Sequence, residues 1–126
     1  MLLIKAVQKH YYNLISGNLK VPLYNHLPES ATFPLIKLSR IATDSWVLTP
    51  ESKVLRISFE IYSNASSNIE CLEILENLQE LIFSAHNLVS DYHISQQIFE
   101  HGEIYQIDND IWCASFTIKV YVVTKH

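Results

Sequence analysis

The chain has 126 residues, of which 48% are apolar and 17% charged, and its formal net charge at pH 7 is −4. This composition excludes a disordered chain, and the length suits one globular domain over residues 1–126. The charge disfavours direct recognition of nucleic acid, because phosphate contacts need clustered Lys and Arg, and the nine in this chain are scattered.

The N-terminal segment predicts a helix over residues 2–16. Its apolar side chains recur at the spacing of one helix face, and they are Leu3, Val7, Tyr11 and Leu14. Gly17 follows where a residue in the left-handed conformation would end the helix. Residues 18–32 contain prolines and predict a loop, with a short edge strand at 21–24, where proline is tolerated.

Two strands are predicted next, with a polar loop between them. Residues 33–42 are rich in β-forming side chains, and residues 54–62 alternate between apolar and polar, as in an antiparallel strand with one buried face. That buried face is predicted to hold Leu55, Ile57, Phe59 and Ile61. The loop at 43–53 carries Trp46, whose large side chain either folds onto the core or contacts a partner.

Residues 67–86 predict a second amphipathic helix. Ser67 and Glu70 have the spacing of a capping box, in which the Ser67 oxygen accepts a hydrogen bond from the amide of the third helical residue and the Glu70 side chain reaches back to the Ser67 amide. The buried stripe is predicted to hold Ile69, Leu72, Leu75, Leu78 and Ile82. The glutamates fall largely on the other side and predict a solvated acidic face, formed by Glu70, Glu73, Glu76 and Glu80.

The C-terminal part predicts a β-hairpin. An extended segment at about 94–107 leads through the polar turn 108–110 into a strand at 111–124. The buried face of this strand is predicted to hold Trp112, Ala114, Phe116, Ile118, Val120 and Val122. Tyr121 and Val123 lie on its opposite face, which indicates that this face is partly covered as well, for instance by a partner subunit.

The element order α-β-β-α-β-β predicts an α+β fold. Strands that neighbour in sequence usually pair, so we expect a mostly antiparallel sheet of about four to five strands. Two helices are expected to pack on one face of that sheet.

Residue types that carry chemistry are present, but not at the spacings that known sites need. The six histidines lack the spacing of a metal site. The acidic turn 108–110 departs from a calcium loop at Ile111 and Trp112. With two glycines the chain has no phosphate-binding loop, and it has no Gly-x-Ser-x-Gly motif. We therefore expect no metal, no cofactor and no enzymatic activity.

The cysteines and the apolar runs bear on the cellular compartment. Cys71 and Cys113 are too few for a disulfide framework, and we expect both to be buried in a reducing environment. No apolar run approaches the roughly 18 residues that a membrane-spanning helix needs. The N-terminus lacks a signal-peptide pattern. The expectation is a cytoplasmic protein that does not contact a membrane.

Several short motifs follow one another along nearly the whole chain, and they are Val21-x-x-Tyr24, Phe33-Pro34-Leu35-Ile36, Asp44-x-Trp46, Phe59-x-Ile61-Tyr62-Ser63 and Asp108-Asn109-Asp110. In these residues and their order the chain resembles the small phage tail-completion proteins of the DUF3168 family. The chain departs from the family pattern at the final turn and before the second helix, where it lacks glycine.

The resemblance implies a non-enzymatic structural role in a phage, a prophage or a gene transfer agent. It implies a homo-oligomeric ring, often a hexamer, that ends the tail tube and joins it to the head side. The partners would be the tail-tube subunit and the head–tail connector, and the protein would pass from the cytoplasm into the tail of the particle. The alternatives are a head-completion or neck protein, and a monomeric binding domain derived from a prophage.

Two surfaces are the predicted subunit or partner contacts. The first is the loop at 43–53 with Asp44 and Trp46, because tryptophan is enriched at interface hot spots. The second is the acidic face of the second helix, which could meet a basic partner through charge complementarity. Its residues are Glu73, Glu76 and Glu80.

Replacing Trp46 with Ala is expected to weaken assembly of the ring, because the variant removes the largest apolar group of the predicted contact loop. Size-exclusion chromatography with light scattering measures the assembled mass, and circular dichroism checks that the variant is folded. A folded variant that assembles like the wild type would show that Trp46 is not a contact residue.

Overall fold

The computed structural model describes residues 2–43, 52–84, 88–89 and 92–124. Its elements are α1 (Leu2–Asn18), β1 (Leu23–Tyr24), β2 (Leu35–Thr43), β3 (Ser52–Ser63), α2 (Ile69–Ser84), β4 (Leu88–Val89), β5 (Tyr92–Asp108) and β6 (Ile111–Thr124). The strands form one sheet in the order β1-β2-β3-β6-β5-β4. β1 runs parallel to β2, and the other neighbouring pairs are antiparallel.

This architecture confirms the predicted α+β class. The two additions to the predicted order are the two-residue strands β1 and β4. β1 falls inside the edge strand expected at 21–24, whereas β4 was not predicted. Such short strands carry too few residues for a periodic pattern to reveal them.

The core lies between one face of the sheet and the two helices. β3 and β6 form the centre of the sheet and contribute residues that face each other across the ladder, such as Ile57 opposite Ile118 and Phe59 opposite Phe116. The predicted buried faces of both strands are confirmed, except that Trp112 is only partly buried. We call the sheet face that packs on the helices the helix face, and the other the open face.

A row of aromatic rings crosses the helix face. Phe59 and Phe116 stack with their centroids 5.1 Å apart, Tyr11 of α1 meets Phe59 edge-on at 6.4 Å, and Phe99 stacks on Phe116 at 5.8 Å. Gly102 lies opposite Phe116, and a Cβ atom there would come within 2.6 Å of the Phe99 ring. The glycine therefore leaves the space that the Phe99 ring occupies.

α1 packs on the core through every fourth residue of its buried face. That face holds Leu3, Val7, Tyr11 and Ile15, so Ile15 replaces the predicted Leu14, which is only partly buried. The predicted left-handed cap at Gly17 is wrong, because this glycine does not have a positive φ and the helix continues to Asn18. The Asn18 side-chain amide donates to the Leu14 carbonyl at 2.7 Å, which satisfies one acceptor of the last turn.

The start of α2 differs from the predicted capping box. The Asn68 carbonyl accepts the first helical hydrogen bond, from Leu72, so Asn68 is the N-cap residue. Glu70 accepts a hydrogen bond from the hydroxyl of Ser63, the last residue of β3, instead of from the backbone of Ser67. The glutamate therefore links the helix to the strand before it.

The buried stripe of α2 is rotated from the prediction. Leu78 and Ile82 are buried as expected, but Ile69 is 59% exposed and Leu72 is 37% exposed. The other buried residues are Cys71 and Ile74. The Cys71 thiol lies 3.8 Å from the Ile61 carbonyl oxygen, so a small side chain brings this side of the helix close to the sheet.

The rotation of α2 can be tested with a matched pair of leucines. We expect Leu78→Ala to lower the free energy of unfolding by about 2–5 kcal/mol, because the change leaves a cavity in the core. Leu72→Ala is expected to cost less than about 1 kcal/mol, because its side chain is partly in water. Urea unfolding measures both values, and equal losses would contradict the helix orientation described here.

Candidate assembly surfaces

The predicted contact residues divide into two groups. Asp44 and Trp46 lie outside the described residues. Glu73, Glu76 and Glu80 are exposed on α2, on the side away from the sheet, as the acidic-face prediction requires.

The acidic side of α2 also carries apolar side chains. Ile69, Leu72 and Phe83 are 59%, 37% and 40% exposed, and their spacing places them on the same side of the helix as Glu76. Ile69 and Leu72 were predicted to lie in the core. When a helix has apolar residues on two sides, their spacing does not show which side is buried. We call this mixed acidic and apolar region the α2 outer surface.

The middle of the open face is polar and internally paired. Arg56 Nε lies 2.7 Å from Glu100 Oε1, and the hydrogen bond between them raises the pKa of Arg56 and lowers that of Glu100. The hydroxyls of Ser58 and Thr117 are 2.9 Å apart. Since the ion pair is solvent-exposed, it contributes little to stability, and the polar middle of this face needs no further partner.

The end of the open face nearest the β5–β6 turn carries uncharged and largely apolar side chains instead of an ion pair. Leu35, Tyr62, Cys113 and Tyr105 lie in one row across four strands. Cys113 is fully buried, and its thiol interacts with the hydroxyls of Tyr62 and Tyr105. The hydrogen bond with Cys113 raises the pKa of Tyr105 to about 12, and burial raises the pKa of Cys113. These groups are therefore neutral near pH 7.

An apolar groove of about 260 Å³ lies beside this row. Residues of the loop between β1 and β2 form one wall of this groove. The groove is lined by Leu27, Pro28, Ala31, Phe33, Leu35, Tyr62, Ile107 and Ile111. The groove was not predicted from the sequence. Apolar residues in the loop and on the strand face that is expected to be polar could have indicated it. The groove is a second place where apolar side chains remain open to a partner.

The described part of the chain contains no group of three or more His, Cys, Asp and Glu side chains that could hold a metal ion. None of the helices within the described ranges is long and apolar enough to cross a membrane.

Comparisons with known proteins show the fold of this chain but no family. No family model matches the sequence. No curated protein matches it either. A chain of a solved structure described as "Virion of native gene transfer agent (GTA) particle" superposes with a TM-score of 0.84, covers 95% of this chain and 96% of its own length, and is 10% identical. At that identity the match shows a shared fold.

The buried cysteines provide a test of how the open face is covered. We expect both thiols of the native protein to react far more slowly with a thiol reagent at pH 8 than after unfolding. Burial blocks access to them and raises their pKa, to about 11 for Cys71, so the reactive thiolate is scarce.

The measurement is the rate of thiol modification before and after adding guanidinium chloride. A Ser66→Cys variant, with its new thiol at an exposed position, serves as the reactive control. Rapid modification of Cys113 in the native protein would contradict the covered hairpin end of the open face.

Proposed function

We propose that this protein is a non-enzymatic structural subunit of a phage-type particle. The observation that carries the proposal is the superposition with a chain of a gene transfer agent virion, at a TM-score of 0.84 over 95% of this chain and 96% of the other. Since a fold can serve many functions, this support is by analogy. The exposed apolar side chains on α2 and in the groove add support, because such patches mark interaction sites.

Within such a particle, we place the protein at the end of the tail tube, as the resemblance to the DUF3168 family implies. Identical subunits would close into a ring. Such a ring forms when two different patches of neighbouring subunits meet and the rotation between neighbours adds up to a full turn. The ring would stop growth of the tube and present a surface to the head–tail connector. Its action is recognition, with no bond made or broken.

The α2 outer surface is our proposed contact with a neighbouring protein of the particle. Its carboxylates would meet a basic surface, while Ile69, Leu72 and Phe83 would bury apolar area around them. The carboxylates are those of Glu73, Glu76 and Glu80. The loop with Asp44 and Trp46 stays a proposed second contact on sequence grounds alone.

A head-completion or neck protein is the second candidate. The same superposition favours it equally, because the matched chain belongs to a virion and its place in that virion does not enter the comparison. A prophage-derived monomeric domain would have the same fold. The exposed apolar surfaces do not favour it, because a monomer would leave them in water.

Deleting the gene in cells that produce the particle tests these functions together. We expect tail tubes of irregular length without heads, because nothing would stop tube growth or join the two halves. Electron microscopy of the lysate gives the length distribution, and a plasmid-borne wild-type gene is the control that should restore complete particles.

The other outcomes separate the alternatives. Tails of normal length beside separate, filled heads would overturn the tail-end role in favour of the neck. Complete, unchanged particles would contradict any role in their assembly.

A further inference from the structure

On each side of the sheet, most of the outer edge of a long strand has no partner strand within the described residues. β1 pairs with β2 only at Ile36 and Lys37, and β4 pairs with β5 only at Tyr92 and His93. Within the described residues, no strand pairs with the outer edge of β2 over 38–43 or of β5 over 94–108. An uncovered edge presents backbone donors and acceptors that can pair with another strand.

The directions of the two edge strands allow one copy of the chain to continue the sheet of another. Successive strands from β2 through β3 and β6 to β5 alternate in direction, so β2 and β5 run oppositely. If β2 of a second copy lies beside β5 without inversion of the sheet, the new pair is antiparallel, like its neighbours. Such a contact joins two different edges and can therefore repeat around a ring.

The charges of the two edges are also complementary. β2 contains Lys37 and Arg40 and no carboxylate, whereas β5 contains three carboxylates, with neither Lys nor Arg. Lys37 lies opposite Glu60 within the sheet, and Glu100 is paired with Arg56. The third carboxylate of β5, Asp108, accepts a hydrogen bond from the Asp110 amide in the β5–β6 turn at 2.9 Å. Arg40 and Glu103, both exposed, are therefore the charges best placed for a contact between copies.

The same two residues project from the same side. Arg40 lies opposite Ser58 and Glu103 lies opposite Ser115, and both positions belong to the open face. When one copy continues the sheet of another, the open faces of both copies lie on the same side. Arg40 of one copy and Glu103 of the next would therefore project from the same side of the combined sheet. Ile98 and Tyr105, 38% and 39% exposed on the same face of β5, lie on either side of Glu103 along the strand and would add apolar contact to the same edge.

We propose that the outer edge of β2 in one copy pairs with the outer edge of β5 in the next, with Arg40 beside Glu103. The inference rests on the proposed ring and names the contact that closes it. β1 and β4 cover opposite ends of the two edges, so they limit the pairing to part of each strand. The partner is a second copy, because this chain itself carries both halves of the contact.

The test uses Arg40→Glu, Glu103→Arg and the double variant with both changes. Each single change puts like charges together and is expected to weaken self-association about tenfold or more, whereas the double variant restores it. Sedimentation equilibrium measures the association constant at low and high salt. Lys20→Glu and Glu29→Arg alter exposed charges elsewhere and are the matched controls, with no effect expected.

A second measurement locates the contact inside particles. With Arg40→Cys and Glu103→Cys in one chain, a short bismaleimide reagent should link neighbouring copies into a ladder on a denaturing gel. Arg40→Cys paired with Glu29→Cys should give no ladder. Cross-linking to a different protein alone would overturn the proposal, because the uncovered edge would then belong to that partner.

Two sets of results distinguish a wrong edge contact from a wrong particle role. If the protein is present in particles but the single variants associate like the wild type and no ladder forms, the edge contact is wrong and the particle role stands. If the protein is absent from particles and its deletion changes nothing, the function itself is wrong.

Discussion

The pairing of β3 with β6 is the contact on which the rest of the structure depends. It runs from Ser52 opposite Val123 to Ser63 opposite Trp112 without a register shift, whereas the pairings of β2 with β3 and of β5 with β6 contain shifts. A slip of one residue would turn the apolar side chains of a strand to the opposite face. The Phe59–Phe116 stack and the floor under both helices exist only in this register.

Hydrogen bonds between elements then set the positions of the helices. The Tyr11 hydroxyl of α1 donates to Gln97 Oε1 of β5, and Gln97 Nε2 donates to the Ile82 carbonyl of α2 at 3.0 Å. One side chain of the sheet thus holds both helices. Because buried polar groups are costly unless paired, this chain of bonds favours one arrangement of the two helices over its alternatives.

The apolar side chains that this arrangement does not bury bear on the proposed function. They lie on the α2 outer surface, in the groove beside Tyr62 and along β5. A monomer gains nothing from exposing them, whereas an assembled particle could cover them.

The sequence by itself determined the fold class, the faces of β3 and β6, and the acidic side of α2, because each follows from a local periodicity. Only the tertiary structure decided which side of α2 is buried. The helix has apolar residues on two sides, and the small side chain of Cys71 allows a close approach to the sheet that a count of leucines does not reveal. Only the tertiary structure likewise revealed the groove and the two edges that no described strand covers, because they arise where segments distant in sequence meet.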